Sequence, residues 1–175
     1  MDRVERITND EPPIAPILVL GVGNILLGDD GVGPRLAREL HALYEGVDGV
    51  ECIDGGTQGL ALLGYFHKRR SLVILDALAG GSNPGTVSVF DRSALLESKP
   101  ARATTAHEQN AGELLSAAEL LNELPPRVFL IGVEPERILT ELSLSETVTR
   151  ALPEAFSRAC EVVEQELAAA AGVAA

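Results

Sequence analysis

The sequence is short of aromatic residues, of cysteine and of long apolar runs, and each shortage excludes a class of protein. Only 3% of its 175 residues are aromatic, none is tryptophan, and two are cysteines, Cys52 and Cys160. Two cysteines outside any Cys-x-x-Cys motif cannot form a disulfide framework, which favours a reduced, cytoplasmic protein. No apolar run approaches the roughly 20 residues that cross a bilayer, and the polar N-terminus lacks a secretory pattern. We therefore expect no membrane association.

Basic side chains are also scarce. The chain has 14 lysines and arginines against 26 acidic residues, so its net charge is −12. Such a field repels phosphate backbones, which disfavours nucleic-acid binding and favours a cation or a basic partner. The length and the 46% hydrophobic content are typical of one globular domain. We expect a monomer with a flexible N-terminal arm over residues 1–15, a single domain over 16–170 and a frayed tail over 171–175.

Short apolar runs alternate with amphipathic helical patterns, which is typical of an α/β protein with a mainly parallel sheet. The predicted strands cover residues 17–23, 50–53, 72–75, 86–90 and 128–133, and the predicted helices cover 30–44, 60–67, 109–123 and 145–170. Residues 76–85 are too few for the crossover of a dozen or more residues that a parallel return needs. The fourth strand should therefore run antiparallel, at an edge of the sheet.

Acidic residues follow four of the five predicted strands. They are Asp29 and Asp30 after the first strand, Asp54 after the second, Asp76 after the third and Glu134 after the fifth. The carboxyl ends of parallel strands meet at one edge of a sheet, where open α/β folds bind ligands. His107, which precedes a predicted helix, can return to the same edge. Carboxylates with an imidazole are ligands for a divalent metal, although an aspartate at a strand end is often only a helix cap or a turn former.

Two other kinds of site are disfavoured. The segment Gly21-Val22-Gly23-Asn24-Ile25-Leu26 has leucine where the G-x-G-x-x-G dinucleotide motif needs its third glycine, and the chain has no Walker lysine motif. Nucleophilic catalysis lacks a G-x-S-x-G motif, and both cysteines fall inside predicted elements, away from the acidic edge. Nucleotide binding and covalent catalysis are therefore poor interpretations.

A longer signature resembles a known family. The run ILVLGVGNILLGDDGVG at residues 17–33 looks like the opening signature of the nickel–iron hydrogenase maturation endopeptidases. The similarity continues at Asp54-Gly55-Gly56-Thr57, Asp76-Ala77, Pro84-Gly85-Thr86, His107 and Gly132-Val133-Glu134-Pro135. The motifs stand in the family's order and at the family's spacing, and the resemblance covers roughly residues 16–165.

The resemblance implies a three-layer α/β/α sandwich with a mixed five-stranded sheet in the order 2-1-3-5-4, strand 4 being antiparallel. It implies an aspartic-type endopeptidase that removes the C-terminal extension of a hydrogenase large-subunit precursor after nickel insertion. The family's catalytic and metal-contacting positions match Asp30, Asp76 and His107 in this sequence. The nickel would be supplied by the precursor, and other divalent metals could occupy the same site.

The remaining motifs are expected to line a substrate cleft formed by Asp54, Gly55, Gly56, Thr57 and Glu134. The metal could position the scissile bond, polarise its carbonyl or activate water, or one aspartate could act as general base. A non-enzymatic metallochaperone or metal sensor could use the same ligands, and so could a metal-dependent hydrolase of small amides. Bare backbone at Gly55-Gly56 and Gly80-Gly81 favours a cleft for an extended peptide.

The neighbours Asp29 and Asp30 cannot both point into this site from a helix start, because successive helical residues point about 100° apart. We predict that Asp29 is the N-cap and that Asp30 reaches towards Asp76. The glycines at 31 and 33 would keep the first turn open to metal or substrate. Since asparagine caps a helix about as well as aspartate, Asp29→Asn would then be mild.

Overall fold

Five strands form one mixed sheet in the structure, a computed structural model that describes residues 14–97 and 111–173. The strands are β1 Ile17–Val22, β2 Val50–Gly56, β3 Ser71–Ala77, β4 Val87–Asp91 and β5 Arg127–Val133. Their order is β2-β1-β3-β5-β4. The strands β1, β2, β3 and β5 run parallel to one another, and β4 pairs antiparallel with β5. The predicted order and the predicted direction of the fourth strand are confirmed.

Helices connect and cover these strands. The α-helices are α1 Val32–Tyr44, α2 Arg92–Glu97, α3 Ala111–Leu120 and α4 Glu146–Val173, and 3-10 segments lie at Asp29–Gly31 and Gly59–Tyr65. The helix expected at 60–67 is thus a 3-10 helix, and the sequence pattern did not predict α2. The last helix continues three residues beyond the predicted end at 170. Residues 1–13 of the expected N-terminal arm, and residues 174 and 175 of the expected tail, lie outside the described residues.

Alternating strand residues build a core on each face of the sheet. One face packs against α1 and α4, and the other packs against the 3-10 helix and α3. The first face carries Val19, Val73, Leu75, Ile131 and Val133, and the second carries Leu18, Leu20, Leu72, Ile74 and Leu130. All ten side chains are buried, so the fold is the predicted three-layer α/β/α sandwich. None of the described helices is both long enough and apolar enough to span a bilayer.

Two glycines let α1 lie directly on the sheet. A Cβ on Gly33 would fall far inside 3.0 Å of the carbonyl oxygens of Val22 and Leu75, and one on Gly21 would overlap the carbonyl of Gly33. Gly33 is therefore required for helix–sheet packing, and the expectation that it keeps the first turn open to a ligand is wrong. The close approach places the start of α1 against the carboxyl ends of β1 and β3.

The opposite edge of the sheet has its own buried acid. Glu166 of α4 is only 1% exposed, and its carboxylate accepts hydrogen bonds from Ser71 Oγ at 2.5 Å and from Arg127 Nε at 2.8 Å. Arg70 approaches the same carboxylate at 3.5 Å. Ser71 and Arg127 begin β3 and β5, so this network fixes α4 at the amino ends of the strands, away from the acidic edge.

Candidate active site

Two buried aspartates meet at the carboxyl edge of the sheet. Asp76, near the end of β3, is 4% exposed, and Asp30, in the 3-10 turn between β1 and α1, is 7% exposed. Burial, with the nearby negative charge of Asp30, raises the pKa of Asp76 from its usual 3.8 to about 7. Asp30 therefore lies close enough for its negative charge to act on the proton of Asp76.

Backbone donors orient both carboxylates. Asp76 Oδ2 accepts from the backbone N–H of Ala111, the first described residue of α3, at 3.1 Å. Asp30 Oδ2 accepts from the backbone N–H of Asn24 at 2.7 Å. The bond from Ala111 favours the charged form of Asp76, but desolvation by burial is the stronger influence on its pKa. The pair can thus hold one proton near neutral pH, which is the condition for acid–base chemistry by two carboxyl groups.

Asp29 does not cap the helix that follows it. The flanks of the 3-10 turn and of α1 are Gly28 and Gly31, and neither helix start receives a side-chain cap. The fully buried carboxylate of Asp29 instead accepts three backbone N–H groups from a distant loop, those of Glu136, Arg137 and Ser145, at 2.9, 3.1 and 2.6 Å. The predicted N-cap role of Asp29 is therefore wrong.

The third predicted ligand, His107, lies outside the described residues. Within residues 14–97 and 111–173, no group of three or more histidine, cysteine, aspartate or glutamate side chains is placed to hold a metal. Asp30 and Asp76 supply two carboxylates, which suit a hard or borderline divalent cation. A third ligand would have to come from outside this described part of the chain or from a substrate.

The second glycine-rich motif lies at the end of β2. Asp54 is paired with the exposed Arg38 of α1 at 2.7 Å and accepts from the backbone N–H of Gly56 at 3.1 Å. Gly55 is buried, and a Cβ there would lie 2.8 Å from Leu20, so its lack of a side chain serves packing. Gly56 has a φ of +51°, and Thr57 is exposed beyond the strand. Of this motif, Asp54, Gly56 and Thr57 offer accessible surface, and Gly55 does not.

Glu134 organises a loop at the same edge. Its carboxylate accepts from the backbone N–H groups of Gly80, Gly81 and Ser82 at 2.9, 3.1 and 3.2 Å. These donors belong to the segment between β3 and β4, so Glu134 holds that segment beside the end of β3. The position supports a role in shaping the edge, and the expected bare backbone at Gly80 and Gly81 is bonded to this carboxylate.

Comparison with known proteins assigns the family. The hydrogenase maturation protease family, HycI, matches residues 34–162. The chain belongs to this family. It is 40% identical over 136 residues to the hydrogenase 2 maturation protease of Escherichia coli K12, a match that covers 75% of this chain and 80% of that protein. It is 41% identical over 125 residues to the hydrogenase expression/formation protein HupD of Rhizobium leguminosarum bv. viciae.

The HupD match covers 71% of this chain and 62% of that relative, so the chain spans less than two thirds of its length. Among solved structures, the hydrogenase maturating endopeptidase HybD from E. coli superimposes with a TM-score of 0.73 and 32% identity. That alignment covers 86% of this chain and 93% of HybD. The order and direction of the strands are therefore the fold of a hydrogenase maturation protease.

Two features of this maturation protease were missed by sequence reasoning. The first is the turn at Asn24: its backbone N–H orients Asp30, and the Asn24 side-chain oxygen accepts from the N–H of Leu26 at 3.0 Å. An asparagine after a Gly-x-Gly segment signals such a turn, so this feature could have been found. The ion pair of Arg38 with Asp54 had no signal, because its partners lie 16 residues apart on different elements.

Proposed function

We propose that this hydrogenase maturation protease removes the C-terminal extension of a hydrogenase large-subunit precursor after nickel insertion. Asp30, Asp76 and His107 would bind the nickel that the precursor carries. The observation that supports this most strongly is the buried pair of Asp30 and Asp76, which lies at the ligand-binding edge of the sheet without a cationic partner among the described residues. A cation brought by the substrate would relieve the repulsion between the two carboxylates.

Nickel serves here as a test that the precursor is complete. Two carboxylates and one imidazole leave coordination positions open, and ligands of the precursor would fill them. The metal would then fix the scissile bond near the aspartates, so that positioning supplies much of the rate enhancement. The aspartic-type assignment is supported by the buried carboxyl group of Asp76, because its pKa of about 7 suits proton transfer near neutral pH.

Precursor processing tests the function directly. Nickel-loaded and nickel-free large-subunit precursor are incubated with the enzyme, and the precursor mass is followed. Only the nickel-loaded form should lose its extension. Asp30→Asn and His107→Ala should each lower the rate by orders of magnitude while remaining folded. His67→Ala is the matched control, because His67 is exposed and its one ion pair among the described residues is with Glu123, at 3.9 Å. Normal cleavage by His107→Ala would refute the ligand assignment.

Nickel titration of the isolated protein provides a second test. An incomplete ligand set predicts weak binding, which His107→Ala weakens further. Tight stoichiometric binding that is insensitive to this substitution would contradict the proposal. A metallochaperone or metal sensor would bind nickel without changing the precursor mass. A hydrolase of small amides would not cleave the precursor. The reaction is proposed for a monomer in the cytoplasm, where the thiols of Cys52 and Cys160 stay reduced.

A further inference from the structure

Four large apolar side chains are exposed in two hydrogen-bonded loops, one of which leads into the turn that carries Asp30. They are Ile25, Leu26, Leu139 and Leu142, whose exposed fractions are 42, 53, 57 and 82%. Ile25 and Leu26 lie in the loop that leads from β1 to Asp29, and the two others lie in the loop between β5 and α4. We call these four residues the apolar platform. Exposed clusters of this kind mark binding surfaces more often than isolated surface leucines do.

Backbone hydrogen bonds hold the two loops of the platform together. The N–H of Gly28 donates to the carbonyl of Glu141 at 2.7 Å, and the N–H of Glu141 donates to the carbonyl of Leu26 at 3.0 Å. The loop between β5 and α4 is also fixed by the carboxylate of Asp29, which accepts from the backbone N–H groups of Glu136, Arg137 and Ser145. The apolar side chains are therefore displayed on a fixed backbone, which lowers the entropy lost when a partner binds.

The platform is continuous with the candidate active site. A Cβ on Gly31, the residue after Asp30, would lie 3.0 Å from the Cα of Ile25. The residue before Ile25, Asn24, donates its backbone N–H to Asp30 at 2.7 Å. The loop that carries Ile25 and Leu26 therefore adjoins the site, so a protein whose scissile bond reaches Asp30 and Asp76 comes close to this apolar surface.

We propose that the apolar platform binds an apolar surface of the large-subunit precursor next to its cleavage site. This inference rests on the proposed function and adds the surface through which the substrate is recognised. A second copy of this chain is the poorer occupant, because two molecules that each carry a charge of −12 repel one another. It would also cover the edge at which the precursor must enter.

The chain supplies a matched pair of variants for the test. Leu139 and Leu142, with exposed fractions of 57 and 82%, are changed to serine in the platform variant. Leu121 and Leu120, with 59 and 83%, are changed to serine in the control variant. The control leucines lie at the end of α3, about 14 Å along the helix from its start beside Asp76. All four side chains are exposed, so both variants should melt within a few degrees of the wild type.

Processing of nickel-loaded precursor is measured with all three proteins. The platform variant should lose at least tenfold in kcat/KM, mainly through a higher KM, and the control variant should stay within twofold of the wild type. Equal KM values for the platform variant and the wild type would overturn the inference. A wild-type dimer in sedimentation that the platform variant dissociates would also overturn it, in favour of a second copy.

Precursor binding, measured separately by biolayer interferometry, distinguishes the two proposals. If the wild type binds the precursor but does not cleave it, the proposed function fails. The platform inference then depends on whether the platform variant loses at least tenfold in affinity, and an unchanged affinity overturns it. If the wild type cleaves the precursor and the platform variant binds it equally well, the platform inference alone fails. Absence of any binding by the wild type overturns both.

Discussion

Replacing Asp29 by asparagine should destabilise the fold, although the two side chains have nearly the same size. The buried carboxylate accepts two N–H groups at Oδ2, from Glu136 and Arg137, and one at Oδ1, from Ser145. An asparagine has one carbonyl oxygen, and its NH2 group must face at least one of these donors whichever way the amide turns. The substitution therefore leaves a buried backbone donor without an acceptor.

The magnitude follows from the bonds that are lost. A buried donor without a partner costs about 1–3 kcal/mol, and two charge-assisted bonds that become neutral lose roughly 1 kcal/mol each. The expected decrease in the free energy of unfolding is thus about 3–5 kcal/mol. For a domain of this size, that decrease corresponds to a melting temperature lower by about 6–20 °C. The loop between β5 and α4 should also open more often, because the bonds to Asp29 connect it to the 3-10 turn.

Urea unfolding measures the first effect, and hydrogen exchange of the Glu136, Arg137 and Ser145 amides measures the second. Asp91→Asn is the matched control, because Asp91 is an exposed aspartate that accepts from the N–H of Ala94 at the start of α2, at 2.8 Å. Asparagine caps about as well as aspartate, so this control should change stability by a few tenths of a kcal/mol. A loss below 0.5 kcal/mol for Asp29→Asn, as a simple cap would give, refutes the reasoning.

Two further predictions concern the packing and the protonation of the site. Gly33→Ala should lower the free energy of unfolding in urea by more than about 3 kcal/mol, because the added Cβ would overlap two backbone carbonyls. Gly64→Ala is the control and should be nearly neutral, because no atom lies within 4 Å of its added Cβ. Equal effects of the two substitutions would contradict the packing argument. Burial raises the pKa of Asp76 to about 7, so the folded state of the metal-free protein retains a proton that the unfolded chain releases near pH 3.8. Wild-type stability should therefore fall as the pH rises from about 4 to 7, and the gain from Asp76→Asn should grow over the same range to at most about 4 kcal/mol in urea unfolding with EDTA. A gain that does not vary with pH would exclude this titration as its cause.

The sheet could be predicted because its determinants are local. A continuously apolar run such as residues 17–22 fits a strand that is buried on both faces, and the short link over residues 76–85 forces β4 to run antiparallel. The end of α4 and the 3-10 form of Gly59–Tyr65 depend on small differences in hydrogen bonding, which sequence patterns do not resolve. The six-residue helix α2 is too short to show a clear helical period of apolar residues, so the sequence did not predict it.

The topology of the sheet also indicated which residues lie at the candidate site, but the prediction for Asp29 was wrong. Parallel strands bring residues at their carboxyl ends together, so Asp30 and Asp76 could be paired without knowing any distance. The role of Asp29 could not be found in this way, because its donors at Glu136, Arg137 and Ser145 are more than 100 residues away in the sequence. A local rule that assigns aspartates to helix caps has no access to such contacts.

The two ends of the sheet show why the acidic edge points to function. Glu166 is a buried carboxylate whose charge is compensated by Arg127 and Arg70, so its burial is consistent with a purely structural role. Asp76 is also buried, forms no ion pair with any residue in the described part of the chain, and feels the negative charge of Asp30. Repulsion and desolvation both oppose this arrangement, so it contributes nothing to the stability of the fold. A positively charged ligand at this edge would relieve both, which is the reason that the acidic edge, and not the Glu166 network, points to function.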